Sequence, residues 1–166
     1  MLKEGDRIPA VTLKKMTSAG PTDVSMADYC AGRKVVIFAV PGAFTPTCSE
    51  THLPGYIDHA QALRDKGVEA VACVSMTDQF VMNAWGKSVG TGEHVDMLAD
   101  GNGEFTQAAG MSVDFSAHGM GQRSQRYAMV LEDGVVKHLA VESNPGEATV
   151  SAAEAVLEAL TETVVS

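Results

Sequence analysis

Hydrophobic residues along this chain fall into short blocks with two different periods. Lys34 to Val40 reads KVVIFAV, a β-branched and aromatic run bounded by Gly32 and by Pro41-Gly42, the pattern of a strand buried on both faces. Val68 to Met76, VEAVACVSM, is a second such run. Between them, Leu53 to Lys66 carries Ile57, Ala60 and Leu63 in helical spacing and stops at Gly67, where a left-handed cap is easy. Strand, helix, strand predicts a βαβ unit with a right-handed crossover. Farther on, Thr77 or Asp78 can cap a helix whose apolar stripe is Phe80, Val81, Ala84, Trp85 and Val89. Met97 to Ala99 predicts a short strand, and Glu104 to Ala109 a short helix. Tyr127 to Glu132 and Val135 to Val141 flank Asp133-Gly134, a two-residue hairpin signal that makes this pair antiparallel. Ser151-Ala-Ala-Glu154 has the spacing of a capping box before an amphipathic closing helix with Val156, Ala159 and Leu160.

Parallel units followed by an antiparallel hairpin and a last helix predict an α/β protein with a mixed central sheet flanked by helices, the order of a thioredoxin-like fold. No repeat, low-complexity tract or linker divides the 166 residues, so one domain over 1–166 is expected. Charge narrows the partners. With 21 acidic against 12 basic residues the formal net charge is -9, which argues against a nucleic-acid backbone or an anionic membrane surface. The N-terminus has no apolar leader core and no run is long enough to span a bilayer, so a cytoplasmic protein is expected. Cys30, Cys48 and Cys73 are an odd number at wide spacings, which suits a reducing compartment.

Candidate chemistry concentrates in Pro41 to Pro54, PGAFTPTCSETHLP, at the C-terminal end of the first buried strand, where open α/β sheets place their ligands. Thr45-Pro46 reads as an N-cap followed by proline at the first helical position; Thr47-Cys48-Ser49-Glu50 reads equally well as a capping box. Either choice sets Cys48 in the first helical turn, where unpaired N–H groups and the helix dipole favour thiolate over thiol. The commoner fate of a free cysteine is a small buried hydrophobe. A helix cap with an incidental cysteine explains the threonines here, but not the clustering of Pro, Gly, Thr and Cys on one loop.

The run PGAFTPTCSETHLPGY resembles the active-site segment of the peroxiredoxins, whose core pattern P-x-x-x-T-x-x-C occurs here as Pro41, Thr45 and Cys48. Val71-Ala72-Cys73-Val74-Ser75, Trp85-Gly86, Leu98-Ala99-Asp100 and Arg123-Ser124-Gln125-Arg126-Tyr127 are similar to the type II branch, and the resemblance runs from about Lys3 to the final helix. It implies a reductase of hydrogen peroxide and alkyl hydroperoxides, in which Cys48 attacks the peroxide and becomes a sulfenic acid. It further implies that Thr45 hydrogen-bonds the peroxide, Pro41 shields the pocket, and Arg126 is the catalytic arginine. Arg123 lies three residues earlier; alternation along a strand lets one of the two point into the pocket, and Arg126 takes that place. No metal, haem or flavin is required. Type II relatives commonly dimerise through loops around the active site, which implies a homodimer with Phe44, Phe80 and the stretch Phe115 to Gly119 as contacts.

The mammalian two-cysteine form carries its resolving cysteine just before the last helix, where this chain has Thr149-Val150-Ser151. Cys73 sits inside an apolar strand, and a disulfide needs Cα atoms within about 7 Å, so pairing with Cys48 demands local unfolding. Cys30 falls at the opposite end of the sheet. The resemblance therefore implies an external reductant, glutathione with glutaredoxin in preference to thioredoxin. Met120 is a candidate for an apolar pocket rim. His52, four residues after Cys48 on the same helical face, raises a Cys-His hydrolase or half a zinc site. No orienting Asn or Asp motif and no second ligand pair accompanies it, and packing at the pocket edge is its simpler role. A redox-regulated binding protein or chaperone would use Cys48 as a sensor and would not need Arg126.

Overall fold

An edge hairpin opens the chain: β1 (Thr12–Thr17) and β2 (Gly20–Ser25) pair antiparallel, in the computed structural model that describes the backbone of residues 1–165 and side chains through residue 161. The hydrophobic pattern does not predict this hairpin, because TLKKMT and GPTDVS are mostly polar. An exposed edge is where polar strands and lysines discourage pairing with other chains. A short helix α1 (Met26–Cys30), capped by the Ser25 hydroxyl accepting from the Asp28 N–H, leads into the sheet centre.

There the KVVIFAV run forms β3 (Lys34–Ala39) and the second run forms β4 (Ala70–Ser75), in parallel, with Phe38 opposite Cys73. The helix predicted between them is two pieces, α2 (Leu53–Asp58) and α3 (Ala60–Asp65), broken at His59, whose φ of -100 and ψ of 11 leave the helical basin. Gly67 then takes the left-handed φ of 90 that stops the chain from continuing as helix. Asp78 caps α4 (Gln79–Val89), accepting from the Val81 N–H at 2.8 Å. The face of α4 turned to the sheet centres on Met82, Trp85 and Gly86; Phe80 and Ala84, which spacing places in the stripe, are exposed.

Next come β5 (Asp96–Ala99), parallel to β4, and α5 (Glu104–Ala108). A small ribbon of β6 (Ser112–Asp114) and β7 (Gln122–Ser124), which no periodicity announces, stands apart from the main sheet. The predicted hairpin is β8 (Tyr127–Glu132) and β9 (Val135–Val141); Asp133 and Gly134 have φ of 50 and 76, the double positive φ that a type I′ turn requires. The chain closes with α6 (Ala153–Val165). The capping box expected at Ser151–Glu154 does not form, since the Ser151 hydroxyl donates to Glu142 and Glu154 pairs with His59.

The sheet order is β2-β1-β5-β4-β3-β8-β9, with β5, β4 and β3 parallel and the outer strands antiparallel: a mixed sheet flanked by helices in the thioredoxin-like manner. Alternation along β3 divides the core. Val36, Phe38 and Val40 pack with Cys48, Tyr56, Leu63, Trp85 and Leu160 on one face. Val35, Ile37 and Ala39 pack with Met26, Cys30 and Phe105 on the other, so Cys30 is separated from Cys48 by the sheet. Phe38 stacks on Tyr56 with ring centroids 4.0 Å apart and lies 4.9 Å from the His52 ring. Truncating it to alanine leaves a cavity beneath both rings. We expect Phe38→Ala to lower the unfolding free energy by about 3–5 kcal/mol, read from urea denaturation; a change below about 1 kcal/mol contradicts this packing.

Candidate active site

Strand register brings two distant stretches together. Ala39, the last residue of β3, pairs with Tyr127, the first of β8, so the chain leaving β3 passes beside Arg126. It turns through Pro41 to Phe44 and becomes helical at Pro46. Thr45 stands where an N-cap belongs, but its hydroxyl donates back to the Gly42 carbonyl at 2.7 Å and so closes the turn. The box read over Thr47–Glu50 is absent: the Thr47 hydroxyl donates to the Gly146 carbonyl. Cys48 does lie in the first helical turn, where backbone N–H groups have no partner within the helix. It opens a single π turn, Cys48–His52, in which the Leu53 N–H bonds to the Cys48 carbonyl.

Cys48 and His52 both meet Arg126, which is 2% exposed. Its Nη2 donates to Cys48 Sγ at 3.0 Å, its Nη1 to His52 Nδ1 at 2.8 Å, and its Nε to the Pro145 carbonyl at 2.9 Å. A guanidinium is a donor only, so Nδ1 must accept, and the ring hydrogen sits on Nε2, which donates to the Ser151 carbonyl at 3.0 Å. Burial first, and the Arg126 charge second, lower the His52 pKa to about 4, against weaker upward pulls from Ser151 and Glu142. His52 is therefore neutral near pH 7. Packing at a pocket edge, the role its sequence position suggests, understates it: the ring is 1% exposed and bonded through both nitrogens. Because Nδ1 faces a guanidinium, His52 has no free nitrogen to serve as a base toward Cys48.

Glu142 is a participant that no motif marks. It is 7% exposed, and its carboxylate accepts from the N–H and hydroxyl of Thr149, both at 2.8 Å, and from the N–H and hydroxyl of Ser151 at 2.7 and 2.5 Å. Burial pushes its carboxyl up, but the bonds from Ser151 and Thr149 outweigh that and hold it below the usual carboxylate range. In sequence it reads as one acid in a polar loop.

Outside this cluster a cavity of about 480 Å³ has apolar walls from Pro41, Pro46, Phe115, Met120 and Pro145, with Thr45, Thr47, His118, Arg126 and Asn144 as its polar side chains. Arg123 directs its Nε to the Met120 carbonyl at 2.9 Å, away from the sulfur contact that Arg126 makes. Trp85, the single tryptophan, donates from Nε1 to the Ser49 hydroxyl at 2.9 Å, next to Cys48. All three cysteines are free. Cys73 is on the same face of the sheet as Cys48 but lies inside β4, where burial, then the neighbouring Cys48, push its thiol well above the usual value. Burial pushes the Cys30 thiol up to about 11. Among the described residues no group of three or more His, Cys, Asp or Glu is placed to hold a metal ion, and no helix is long and apolar enough to cross a membrane.

A thioredoxin-like sheet here sets one cysteine, in a first helical turn, against a buried arginine. The Redoxin family profile matches residues 3–157. The chloroplastic peroxiredoxin-2E-2 of Oryza sativa subsp. japonica is 51% identical over 161 residues, covering 94% of this chain and 71% of that protein. Peroxiredoxin-2B of Arabidopsis thaliana is 48% identical over 136 residues, or 82% of this chain and 83% of its own. Reduced Prx3 from Vibrio vulnificus, crystallised in complex with hydrogen peroxide, superposes with a TM-score of 0.91 at 49% identity, covering 96% of this chain and 99% of that one. Likeness of this extent in sequence and fold makes the chain a member of the peroxiredoxin family, a thiol peroxidase.

The His52 environment has a consequence for stability. Its pKa falls from 6.5 to about 4 on folding, so the unfolded chain binds more protons between those values and stability must drop as pH falls through that window. The contribution is complete above the unfolded value, and about 3 kcal/mol of it is lost by the time the folded value is passed. Urea midpoints between pH 7 and pH 4 should therefore decline less in His52→Asn than in the wild type. Parallel declines would show that His52 titrates normally.

Proposed function

We propose that Cys48 is the peroxidatic nucleophile of this thiol peroxidase and that Arg126, Thr45 and Pro41 complete its pocket. The observation that carries this reading is the 3.0 Å hydrogen bond from Arg126 Nη2 to Cys48 Sγ. A permanently charged donor at that distance stabilises charge that develops during the reaction, on the sulfur and on the peroxide oxygens. Thr45 already donates its hydrogen to Gly42, so its oxygen acts as the acceptor that orients the peroxide O–H. Pro41 is buried and lacks an N–H, so it screens the sulfur without offering a competing donor.

The thiolate attacks the hydroxyl-bearing oxygen in line with the O–O bond. An S–O bond forms, the O–O bond breaks, and sulfur gives up two electrons. The proton of the substrate O–H passes to the leaving oxygen, releasing an alcohol or water, and the sulfenate takes up a proton to become sulfenic acid. The apolar walls of the cavity admit alkyl hydroperoxides as well as hydrogen peroxide.

An external thiol closes the cycle in this proposal, glutathione with glutaredoxin in preference to thioredoxin. Support comes from Thr149-Val150-Ser151, which stand where, by resemblance, the mammalian two-cysteine form carries its resolving cysteine, and from the burial of Cys73 and Cys30, which raises both thiols. The thiol attacks the sulfenic sulfur and expels water; a second thiol then releases Cys48. Cys48 itself is 0% exposed, so this step requires the π turn to open. A homodimer in a reducing cytoplasm is part of the same proposal. Phe44, 55% exposed at a left-handed φ of 63, and Phe80, 59% exposed, are the apolar surface it would cover.

One equivalent of hydrogen peroxide should quench or enhance Trp85 fluorescence within the dead time of manual mixing and add one oxygen to the intact mass. Cys48→Ser should abolish both signals, and Arg126→Gln should slow the reaction by about 100-fold or more. Equal, slow consumption by wild type and Cys48→Ser rejects the assignment. Under steady state with glutathione and glutaredoxin, Cys73→Ser should turn over like the wild type; arrested turnover, or a mass loss of two hydrogens in the wild type, would instead mark Cys73 as the resolving thiol. Sedimentation velocity should give twice the chain mass, and a monomer at high concentration removes the dimer.

A further inference from the structure

Three buried groups around Arg126 have no part in the chemistry just described: Glu142, Ser151 and His52. They close a ring. The Glu142 N–H donates to the Arg126 carbonyl at 2.9 Å, and the Glu142 carboxylate gathers the N–H and hydroxyl of Ser151. The Ser151 carbonyl accepts from His52 Nε2 at 3.0 Å and from the Tyr56 hydroxyl at 2.7 Å, and His52 Nδ1 accepts from Arg126 Nη1. We propose that Glu142, acting through Ser151 and neutral His52, is the positioning residue that aims the Arg126 guanidinium at the Cys48 sulfur. The inference rests on the reading of Cys48 and Arg126 as the reacting pair.

The geometry explains why such a device is needed. An arginine side chain has several freely turning bonds, and a single contact to sulfur leaves its plane undefined. Two further acceptors define the plane: the Pro145 carbonyl on Nε and His52 on Nη1, which leaves Nη2 facing Cys48. The Pro145 carbonyl lies on the irregular segment between β9 and α6, and His52 is held by that segment's Ser151. Glu142 folds the segment back on itself through its bonds to Thr149 and Ser151. A buried carboxylate with no salt bridge among the described residues is costly, and these charge-assisted bonds are what hold it. The chargeable groups around His52 are Arg126 and Glu142, which act on it by charge, and Tyr56, whose ring lies 5.7 Å away.

A role confined to anchoring α6 would alter stability without depending on Arg126, which separates the alternatives. The full-length protein is mixed with hydrogen peroxide in stopped flow, and Trp85 fluorescence reports the rate constant of Cys48 oxidation. Glu142→Gln puts an amide donor against the Thr149 and Ser151 donors; it and His52→Leu should each slow oxidation by about 10- to 100-fold, the loss of one hydrogen bond to a charged group. His52→Asn keeps an acceptor near the Nδ1 position but loses the Nε2 bond to the Ser151 carbonyl, so it should recover part of the rate lost in His52→Leu and not all of it. In an Arg126→Gln background, Glu142→Gln should add nothing. Independent slowing in that background, or a wild-type rate in the singly substituted Glu142→Gln protein, overturns the inference. If Glu142→Gln fails to fold, the His52→Leu and His52→Asn pair, measured in both backgrounds, separates positioning from anchoring in the same way. The imidazole ¹⁵N spectrum at pH 7 should show hydrogen on Nε2 and none on Nδ1, and the reverse tautomer also overturns it. A wild-type protein inert to hydrogen peroxide would remove the peroxidase assignment itself, an outcome distinct from either of these.

Discussion

A guanidinium that is almost fully buried imposes its needs on everything near it. Arg126 cannot lose its charge, so its removal from water is tolerable only if its N–H groups find acceptors and its charge finds a counterpart. Three acceptors meet it: a carbonyl, an imidazole nitrogen and a sulfur. The first two are neutral. Of the three direct partners only the Cys48 sulfur has a negatively charged form, and the proposed role of that sulfur rests on this contact.

The sheet is what makes the meeting possible. Cys48 and Arg126 are 78 residues apart, and antiparallel pairing of β3 with β8 puts Ala39 next to Tyr127 at the edge from which both depart. Side-chain alternation then does the sorting. Tyr127 enters the core on the α1 and α5 face, so Arg126 before it points to the opposite face, where α2 and the π turn lie. The stacked rings of Phe38 and Tyr56 fill the space beneath His52 and hold the imidazole from below. Burial on this face explains the contrast among the cysteines as well. Cys73 lies in the same apolar cluster as Cys48, yet inside a strand, and its thiol is pushed toward the protonated form while Cys48 receives the guanidinium directly.

Local signals are legible wherever a residue's environment follows from its near neighbours. The two apolar runs form β3 and β4, Asp78 is a cap, Asp133-Gly134 is a type I′ turn, and Gly67 ends its helix, because each depends on backbone sterics or on burial of both strand faces. The hairpin at the sheet's margin gives no such signal: β2 is the edge strand, β1 beside it is paired on both sides but buries only Leu13 fully, and both look polar. Spacing alone turns Phe80 and Ala84 inward along with Trp85, because it measures the periodicity of a helix and not the direction of its neighbour; α4 keeps Trp85 against the sheet but flanks it with Met82 and Gly86.

The segment around Cys48 shows where the division falls. The sequence by itself determined the α/β class, the segment from Pro41 to Pro54 as the place where candidate chemistry concentrates, and the position of Cys48 in a first helical turn. Tertiary structure decided what the polar side chains do. Two capping boxes had the right spacing, but Thr47 found its acceptor on a distant segment, at Gly146, and Ser151 found its own at Glu142, nine residues back on the same irregular segment. His52 became a bonded imidazole rather than an edge residue, and Glu142, anonymous in its loop, became the centre of four hydrogen bonds. A hydrogen bond is satisfied by whichever partner the fold brings within about 3 Å. Hydrophobic periodicity therefore announces the scaffold, while partners far apart in sequence are settled only when the sheet closes around them.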